Sequence, residues 1–261
     1  MTLKEIAEKH ECLTDWCILS MYRGSIAHGM YLPNSDPNSI DDKDIMAICV
    51  PPLEYYFGLK EFGSRSTKEI FQDEWDIVVY EVRKFISLLA KGNPNVLSML
   101  WLDEEHYLHQ DPPGQMIICN RELFVGKHVF YPFIGYAKDQ LKRMTHQSYQ
   151  GYMGEKRKRL VDQFGYDTKN AAHLIRLLRM AIEFLTNGQM KVNRQKAGDA
   201  QELLNIKTGQ WSLEAVEREA NKLFQDAEDA HEQSLLPEKL DWEKINELAV
   251  IVVDFTRGKY A

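Results

Sequence analysis

The sequence predicts a small α/β half at about residues 1–110, followed by an all-helical half at about 111–261. Three short apolar runs of strand length, separated by polar turns, occur in the first hundred residues. Long stretches with helical periodicity take over in the second half. Between the strand-rich and the helix-rich regions lies Asp111-Pro112-Pro113-Gly114, which is typical of a linker. We therefore expect an α/β domain at 1–110 and a helical domain at 111–261.

The three apolar runs are expected to be strands at 15–22, 44–50 and 75–80, the second stopped by Pro51-Pro52 and the third rich in β-branched residues. The turn-rich segment 30–41 is expected to be a loop, and 53–74 to be irregular with room for a short edge hairpin. Periodicity and capping residues, including Thr2 with Glu5 three residues later, predict the helices 2–11, 81–91, 96–101, 114–124, 129–149, 155–164, 168–187, 196–206, 212–233 and 241–256.

Composition indicates an ordinary globular protein, with 44% hydrophobic and 27% charged residues. No run approaches the ~20 apolar residues of a membrane span, and the N-terminal residues have no apolar signal-peptide core. We therefore expect no membrane partner and a cytoplasmic location. Four cysteines without a C-x-x-C pair are expected to be reduced thiols and not a zinc site or a disulfide framework.

The charge is unevenly distributed along the chain. The net charge is −7, but the segment 138–194 carries 12 Lys and Arg against 5 Asp and Glu. A basic segment in an acidic protein suggests a surface that faces phosphate, and the run 156–159 could follow an RNA backbone. The alternative for the whole segment is a solvated helix face.

A Gly-Ser turn and a set of acidic residues carry the predicted chemistry. The first strand ends at Arg23-Gly24-Ser25, where exposed N–H groups of a tight turn suit a phosphate. Asp42 and Asp44 alternate onto one face at the head of the second strand, and such carboxylates can share Mg²⁺ or Mn²⁺. Asp76 heads the third strand and is the candidate third acid, with Glu74 in reserve. The alternative is that these acids are solvated turn residues.

This order of motifs resembles the DNA polymerase β superfamily of nucleotidyltransferases, whose sheet carries Gly-Ser, then D-x-D, then a third Asp. More narrowly, three stretches of this sequence are similar to a branch of predicted nucleotidyltransferases associated with RNA repair and found in phages. They are Gly24-Ser25-Ile-Ala-His28-Gly29, Ser39 to Ile45, and Asp76 to Leu97 with its Gly92-Asn93-Pro94-Asn95 turn. The likeness continues more loosely through Tyr166 to Arg176.

The resemblance implies an α+β nucleotidyltransferase-type mixed sheet with a C-terminal helical domain that closes the cleft. It implies transfer of a nucleoside monophosphate from an NTP to a hydroxyl, with an RNA 3′ end favoured, Mg²⁺ or Mn²⁺ as cofactor, and release of pyrophosphate. Asp42, Asp44 and Asp76 would be the metal-binding catalytic residues, in a bacterial or phage-infected cell. The implied nucleotide-binding residues are Gly24, Ser25, Arg23, His28, Lys169, His173 and Arg176.

The sequence departs from this branch at Ser98, where the branch often has a Glu, and in a longer loop before D-x-D. Two other functions stay open. One is a catalytically silent module that binds nucleotide or RNA, against which the intact set of acids argues. The other is a nucleotidyl-modifying enzyme that uses the same site on a protein or a small molecule.

Overall fold

The computed structural model describes residues 1–33, 35–36, 39, 41–145 and 155–257, and within them the first half of the chain forms a five-stranded sheet. The strands are β1 (Cys17–Tyr22), β2 (Lys43–Cys49), β3 (Thr67–Gln72), β4 (Trp75–Glu81) and β5 (Tyr107–Gln110), in the order β3-β4-β2-β1-β5. Only β2 and β4 pair in parallel, and the other neighbours are antiparallel. The predicted mixed α+β sheet is confirmed.

Helices surround this sheet and build most of the second half. They are α1 (Leu3–Ala7), α2 (Gly24–Ala27), α3 (Val82–Ala90), α4 (Pro94–Leu97), α5 (Pro112–Cys119), α6 (Phe130–Thr145), α7 (Glu155–Phe164), α8 (Thr168–Asn187), α9 (Arg194–Ala197), α10 (Ala200–Lys207), α11 (Leu213–Gln233) and α12 (Trp242–Arg257). The helical C-terminal half is confirmed. No helix in the described ranges is long and apolar enough to cross a membrane.

Several predicted boundaries were wrong for local reasons. The helix expected at 2–11 has the Thr2–Glu5 capping box but ends at Ala7. The helix expected at 196–206 is broken by Gly198, which adopts φ +91° and separates α9 from α10. Strand β5 was not predicted, and the helix expected at 96–101 is a turn of α-helix followed by a 3₁₀ turn. The end of the helix expected at 129–149 lies outside the described residues.

The largest buried cluster joins the two halves. It contains Leu19 and Ile48 of the sheet, Phe85 of α3, Phe184 of α8 and Leu248 of α12, each at most 6% exposed. Burial of apolar surface is the dominant favourable term in folding, so this cluster fixes α8 relative to the sheet. The division into domains 1–110 and 111–261 stays a prediction.

Candidate active site

A cleft of about 260 Å³ lies between one end of the sheet and α8. Its lining brings together most of the predicted site residues: Arg23, Gly24, Ser25, His28, Asp44, Lys169, His173 and Arg176. Asp41, Asn95, Ser98 and Lys207 also line it. A larger cavity of about 440 Å³ is lined mainly by apolar side chains of α3 and α12, and it contains none of the predicted site residues. The polar chemistry is therefore concentrated in the smaller cleft.

Asp44 lines this cleft, and Asp76 lies beside it on the neighbouring strand without itself being among the lining residues. They are direct register partners on the parallel strands β2 and β4, whose heads meet at the same end of the sheet. The guanidinium of Arg23 contacts both, with Nη2 3.0 Å from Asp76 Oδ2 and 3.6 Å from Asp44 Oδ1. The fold thus delivers two acids from distant parts of the sequence to one point.

Asp42 and Glu74, the other acids considered from the sequence, lie differently. Asp42 is exposed and precedes β2, but its charge acts on Asp44 and helps to raise the pKa of that carboxyl. Glu74 forms an ion pair with Lys43, at 2.7 Å between Oε1 and Nζ. Neither side chain is among the residues that line the cleft.

The electrostatic environment of Asp44 favours a nearby cation. Burial raises the pKa of Asp44 to about 6; Asp76 and Asp42 add to the rise, while Arg23 and Lys169 oppose it. A carboxylate whose charged form is disfavoured by burial gains most from an added positive charge. Asp44 and Asp76 together therefore form a pair of hard oxygen donors that suits a divalent cation.

Gly24 and Ser25 begin the short helix α2 directly against Asp44. Gly24 has φ +62°, and a Cβ built on it would come within 2.1 Å of Asp44 Oδ2. Only glycine permits this close approach at this backbone angle. The hydroxyl of Ser25 is buried and has no hydrogen-bond partner among the described residues. An unsatisfied buried hydroxyl facing a polar cleft suits a ligand oxygen.

Helix α8 supplies the opposite wall of the cleft. Lys169, His173 and Arg176 line the cleft at spacings of four and three residues, as the sequence predicted for one helix face. Arg179 belongs to the same predicted face but turns toward Asp199, Glu202 and Glu219 on α10 and α11. At 100° per residue, Arg179 lies about 80° round the helix from Lys169, which is enough to leave the cleft.

Arg176 is a buried charge without a carboxylate partner among the described residues. Among the described residues, its Nη1 contacts His28 and the sulfur of Met180, and the side chain is 7% exposed. Burial, with Arg194 nearby, lowers the pKa of Arg176 to about 9, so it stays cationic at neutral pH. A buried charge of this kind is costly unless an anion pairs with it.

His28 fixes this arginine and does not itself carry charge. Burial, with Arg176 beside it, holds the pKa of His28 well below its usual range. In the neutral ring, Nδ1–H donates to the carbonyl of Val192 at 3.0 Å, and Nε2 accepts from Arg176. These bonds hold the ring against Arg176, and the contact of His28 with phosphate or acceptor that the sequence suggested stays a prediction.

Lys207 and Asp41 are site residues that the sequence analysis did not single out. The Lys207 ammonium, at the end of α10, forms a buried ion pair with Asp41 and donates to the carbonyl of Met30 at 3.0 Å. Asp41 also forms an ion pair with Lys169, whose Nζ lies 3.5 Å from Asp41 Oδ1. The loop that leads into β2 is thereby tied to both α8 and α10.

Removing one partner of this pair is expected to destabilise the fold. In Asp41→Asn, Lys207 would remain buried without its counter-charge, and we expect a loss of about 3–5 kcal/mol in the free energy of unfolding. Denaturant unfolding measures it. The exposed pair Lys60–Glu54 is the matched control, where Lys60→Met should change stability little. An Asp41→Asn variant as stable as Lys60→Met would show that the buried pair does not hold the loop.

A cluster of two acids and a histidine precedes β5. Ligand atoms of Asp103, Glu105 and His106 lie within 4.8 Å of one another, a spacing that could hold a metal ion. Asp103 is already engaged, with its carboxylate 2.7 Å from Lys196 Nζ and 2.8 Å from Asn193 Nδ2. The cluster therefore serves at least as a contact between the sheet half and the α9 region.

The basic segment 138–194 divides into buried and exposed charge. Internal ion pairs with acids in the 183–219 region engage Arg179 and Arg194. The cleft is lined by Lys169 and Arg176. Three basic residues of α6 are exposed: Lys138, Lys142 and Arg143. Tyr166, at the start of the looser likeness to the family, is buried and donates to the carbonyl of Trp211. Most side chains of the basic run 156–159 lie outside the described residues.

Comparison with known sequences agrees with this geometry. Residues 1–251 match the model of a family described as the RNA repair pathway DNA polymerase beta family. An uncharacterized protein of Bacillus subtilis, YcgL, is 29% identical over 106 residues, which span 41% of this chain and 40% of that protein. Because the family match covers nearly the whole chain, the resemblance inferred from the sequence is confirmed. The chain belongs to the RNA repair pathway DNA polymerase beta family.

Proposed function

We propose that this protein transfers a nucleoside monophosphate from an NTP to a hydroxyl acceptor, an RNA 3′ end being favoured, and releases pyrophosphate. The observation that carries the proposal is that Asp44 and the buried cation Arg176 line one cleft, while Asp76 lies beside Asp44 on the neighbouring strand. This arrangement matches what phosphoryl transfer needs, which is positioning and stabilisation of charge on the transferred group and on the leaving group.

The acids are proposed to hold Mg²⁺ or Mn²⁺. Asp44 and Asp76 would be ligands, and Asp42 would join them from the entrance of β2. The donor set fits, since carboxylate oxygens are the ligands these ions prefer and Asp44 lacks full compensation of its charge. When bound, such an ion polarises phosphoryl oxygens and lowers the pKa of an attacking hydroxyl. Asp76 would also orient the acceptor hydroxyl, and its position beside Asp44 supports this role.

The triphosphate is proposed to lie between α2 and α8. The hydroxyl of Ser25 and the N–H groups beside Gly24 would contact phosphate oxygens at one end. Lys169, Arg176 and Lys207 would oppose the negative charge that grows on the pyrophosphate. His28 would keep Arg176 pointed into the cleft, while His173 lines the cleft between Lys169 and Arg176.

The acceptor is proposed from charge and from the family description. The exposed cations of α6 offer a surface that could bind the phosphate backbone of RNA. The description of the matched family also names an RNA repair pathway. A protein side chain or a small-molecule hydroxyl would use the same catalytic acids. The cytoplasmic location stays a prediction.

The direct test incubates the protein with each NTP labelled at the α-phosphate, Mg²⁺ or Mn²⁺, and separate pools of RNA, protein and metabolites. Label in RNA would support the proposed acceptor if it disappears when the 3′ diol of the RNA has been oxidised with periodate before the reaction. Label in the protein or metabolite pool would replace RNA by that acceptor class. NTP binding without label in any pool, under either metal, would favour a silent binding module and overturn the proposal.

Arg176→Met is expected to separate nucleotide binding from stability. Losing a buried, charge-assisted contact to phosphate should raise the KM for NTP about 10- to 100-fold, equal to about 1.4–2.8 kcal/mol. Because Arg176 has no carboxylate partner among the described residues, the variant should unfold at an equal or higher temperature. Steady-state kinetics and thermal unfolding measure the two effects.

Arg179→Met is the matched control, one turn along the same helix. Arg179 binds three carboxylates behind the cleft, so its loss should lower the melting temperature and leave the KM for NTP nearly unchanged. The opposite pattern, with KM raised only in Arg179→Met, would remove Arg176 from the nucleotide site.

A further inference from the structure

Arg23 lies in the space that a cation shared by Asp44 and Asp76 would need. One guanidinium nitrogen, Nη2, is within 3.6 Å of an oxygen of each carboxylate. The backbone N–H of Arg23 donates to the carbonyl of Asp44 at 2.9 Å, so the residue is anchored beside the head of β2. Its side chain is a quarter exposed and can turn without disturbing the core.

We propose that Arg23 stands in for the divalent cation, and that metal binding is an exchange in which Mg²⁺ or Mn²⁺ displaces the guanidinium from Asp44 and Asp76. This inference rests on the proposed function, which makes these two acids metal ligands. Both cations satisfy the same pair of carboxylates. A divalent ion and a guanidinium held within a few ångströms of each other repel strongly, so one must leave when the other binds.

The displaced guanidinium has a destination in the same cleft. Arg23 lines the cleft beside Gly24 and Ser25, and its Nε is buried with no hydrogen-bond partner among the described residues. A bound triphosphate would offer this group oxygens that match its planar donors. Metal and NTP should therefore help each other to bind, because NTP draws Arg23 away from the acids that the metal takes.

The test is Mn²⁺ binding measured by electron paramagnetic resonance, in the absence and presence of an NTP analogue with an α,β-methylene bridge. Without nucleotide, Arg23→Gln should bind Mn²⁺ about tenfold more tightly than the wild type, within the usual range of coupling between sites. With the analogue, the difference should largely disappear. Arg83→Gln is the control, since Arg83 pairs with Glu81 away from the cleft and should leave Mn²⁺ affinity unchanged.

Equal or weaker Mn²⁺ binding by Arg23→Gln would overturn the exchange. Combining Arg23→Gln with Asp44→Asn or Asp76→Asn distinguishes a failure of the exchange from a failure of the metal-ligand assignment. If Mn²⁺ binding survives both combinations, the ligand assignment fails and the proposed metal mechanism fails with it. If binding requires both acids yet Arg23→Gln equals the wild type, only the exchange fails. Should Arg23→Gln not fold, Arg23→Lys with its shorter, single-point charge takes its place, with tighter Mn²⁺ binding than the wild type again expected.

Discussion

Asp76→Asn is expected to reduce nucleotidyl transfer at least about a thousandfold, which equals about 4 kcal/mol of lost transition-state stabilisation. The amide keeps the shape of the side chain but removes the negative charge that lies beside Asp44 and pairs with Arg23. A neutral ligand would hold a divalent cation poorly and would accept no proton from an attacking hydroxyl. Single-turnover transfer at saturating NTP and metal measures the chemical step.

Glu74→Gln is the matched control because it makes the same change two residues earlier. Glu74 pairs with Lys43 and not with Arg23 or Asp44, so its loss should leave the transfer rate within a few-fold of the wild type. If Glu74→Gln lost transfer activity while Asp76→Asn kept the wild-type rate, the two assignments would be exchanged. Glu74 would then be the third catalytic residue. Thermal unfolding of both variants confirms that any loss is not a loss of fold.

The sequence was informative where local chemistry decides structure. Pro51-Pro52 ends the apolar run that becomes β2, and Asp167 caps the N-terminus of α8 close to the predicted start of that helix. The head of the third apolar run became the head of β4, and the parallel pairing of β4 with β2 sets Asp76 beside Asp44. Short motifs and long periodic helices carry their own signals.

The parts that were missed depend on distant contacts. Strand β5 has four residues without β-branched character and exists because Tyr107–Gln110 pairs with β1, some ninety residues earlier. Lys207 looks like an ordinary last-turn helix residue, and only its contact with Asp41, 166 residues away, makes it a buried part of the cleft. Neither feature leaves a trace in a local window of sequence.

Asp41 shows how the choice among neighbouring acids is made by tertiary structure. Alternation along a strand favoured Asp42 with Asp44, and nothing local distinguished Asp41. In the fold, the chain turns just before β2 so that Asp41 points to Lys207 and Lys169, while Asp42 stays exposed beside Asp44. One acid of the triplet is thus used for tying the two halves together, and the metal-ligand role of Asp42 stays a proposal.

Gly24→Ala is expected to lower activity about a hundredfold, because a misplacement of about 1 Å at a reacting group has an effect of that size. The added methyl carbon would lie 2.1 Å from Asp44 Oδ2 and 2.8 Å from its Cγ, so the carboxylate must move. The φ of +62° adds a backbone cost of about 1–2 kcal/mol for any L side chain. Transfer kinetics and unfolding are therefore both measured.

Gly165→Ala separates these two effects. Gly165 has φ +79° in an exposed turn, and no atom of the described part of the chain lies within 4 Å of an added Cβ. It should lose similar stability through the backbone angle yet retain the transfer rate. If Gly24→Ala keeps wild-type activity while both variants lose equal stability, then Asp44 tolerates displacement and the close approach of Gly24 is a feature of the turn alone. A loss of transfer confined to Gly24→Ala would instead mean that the turn fixes the position of the catalytic carboxylate.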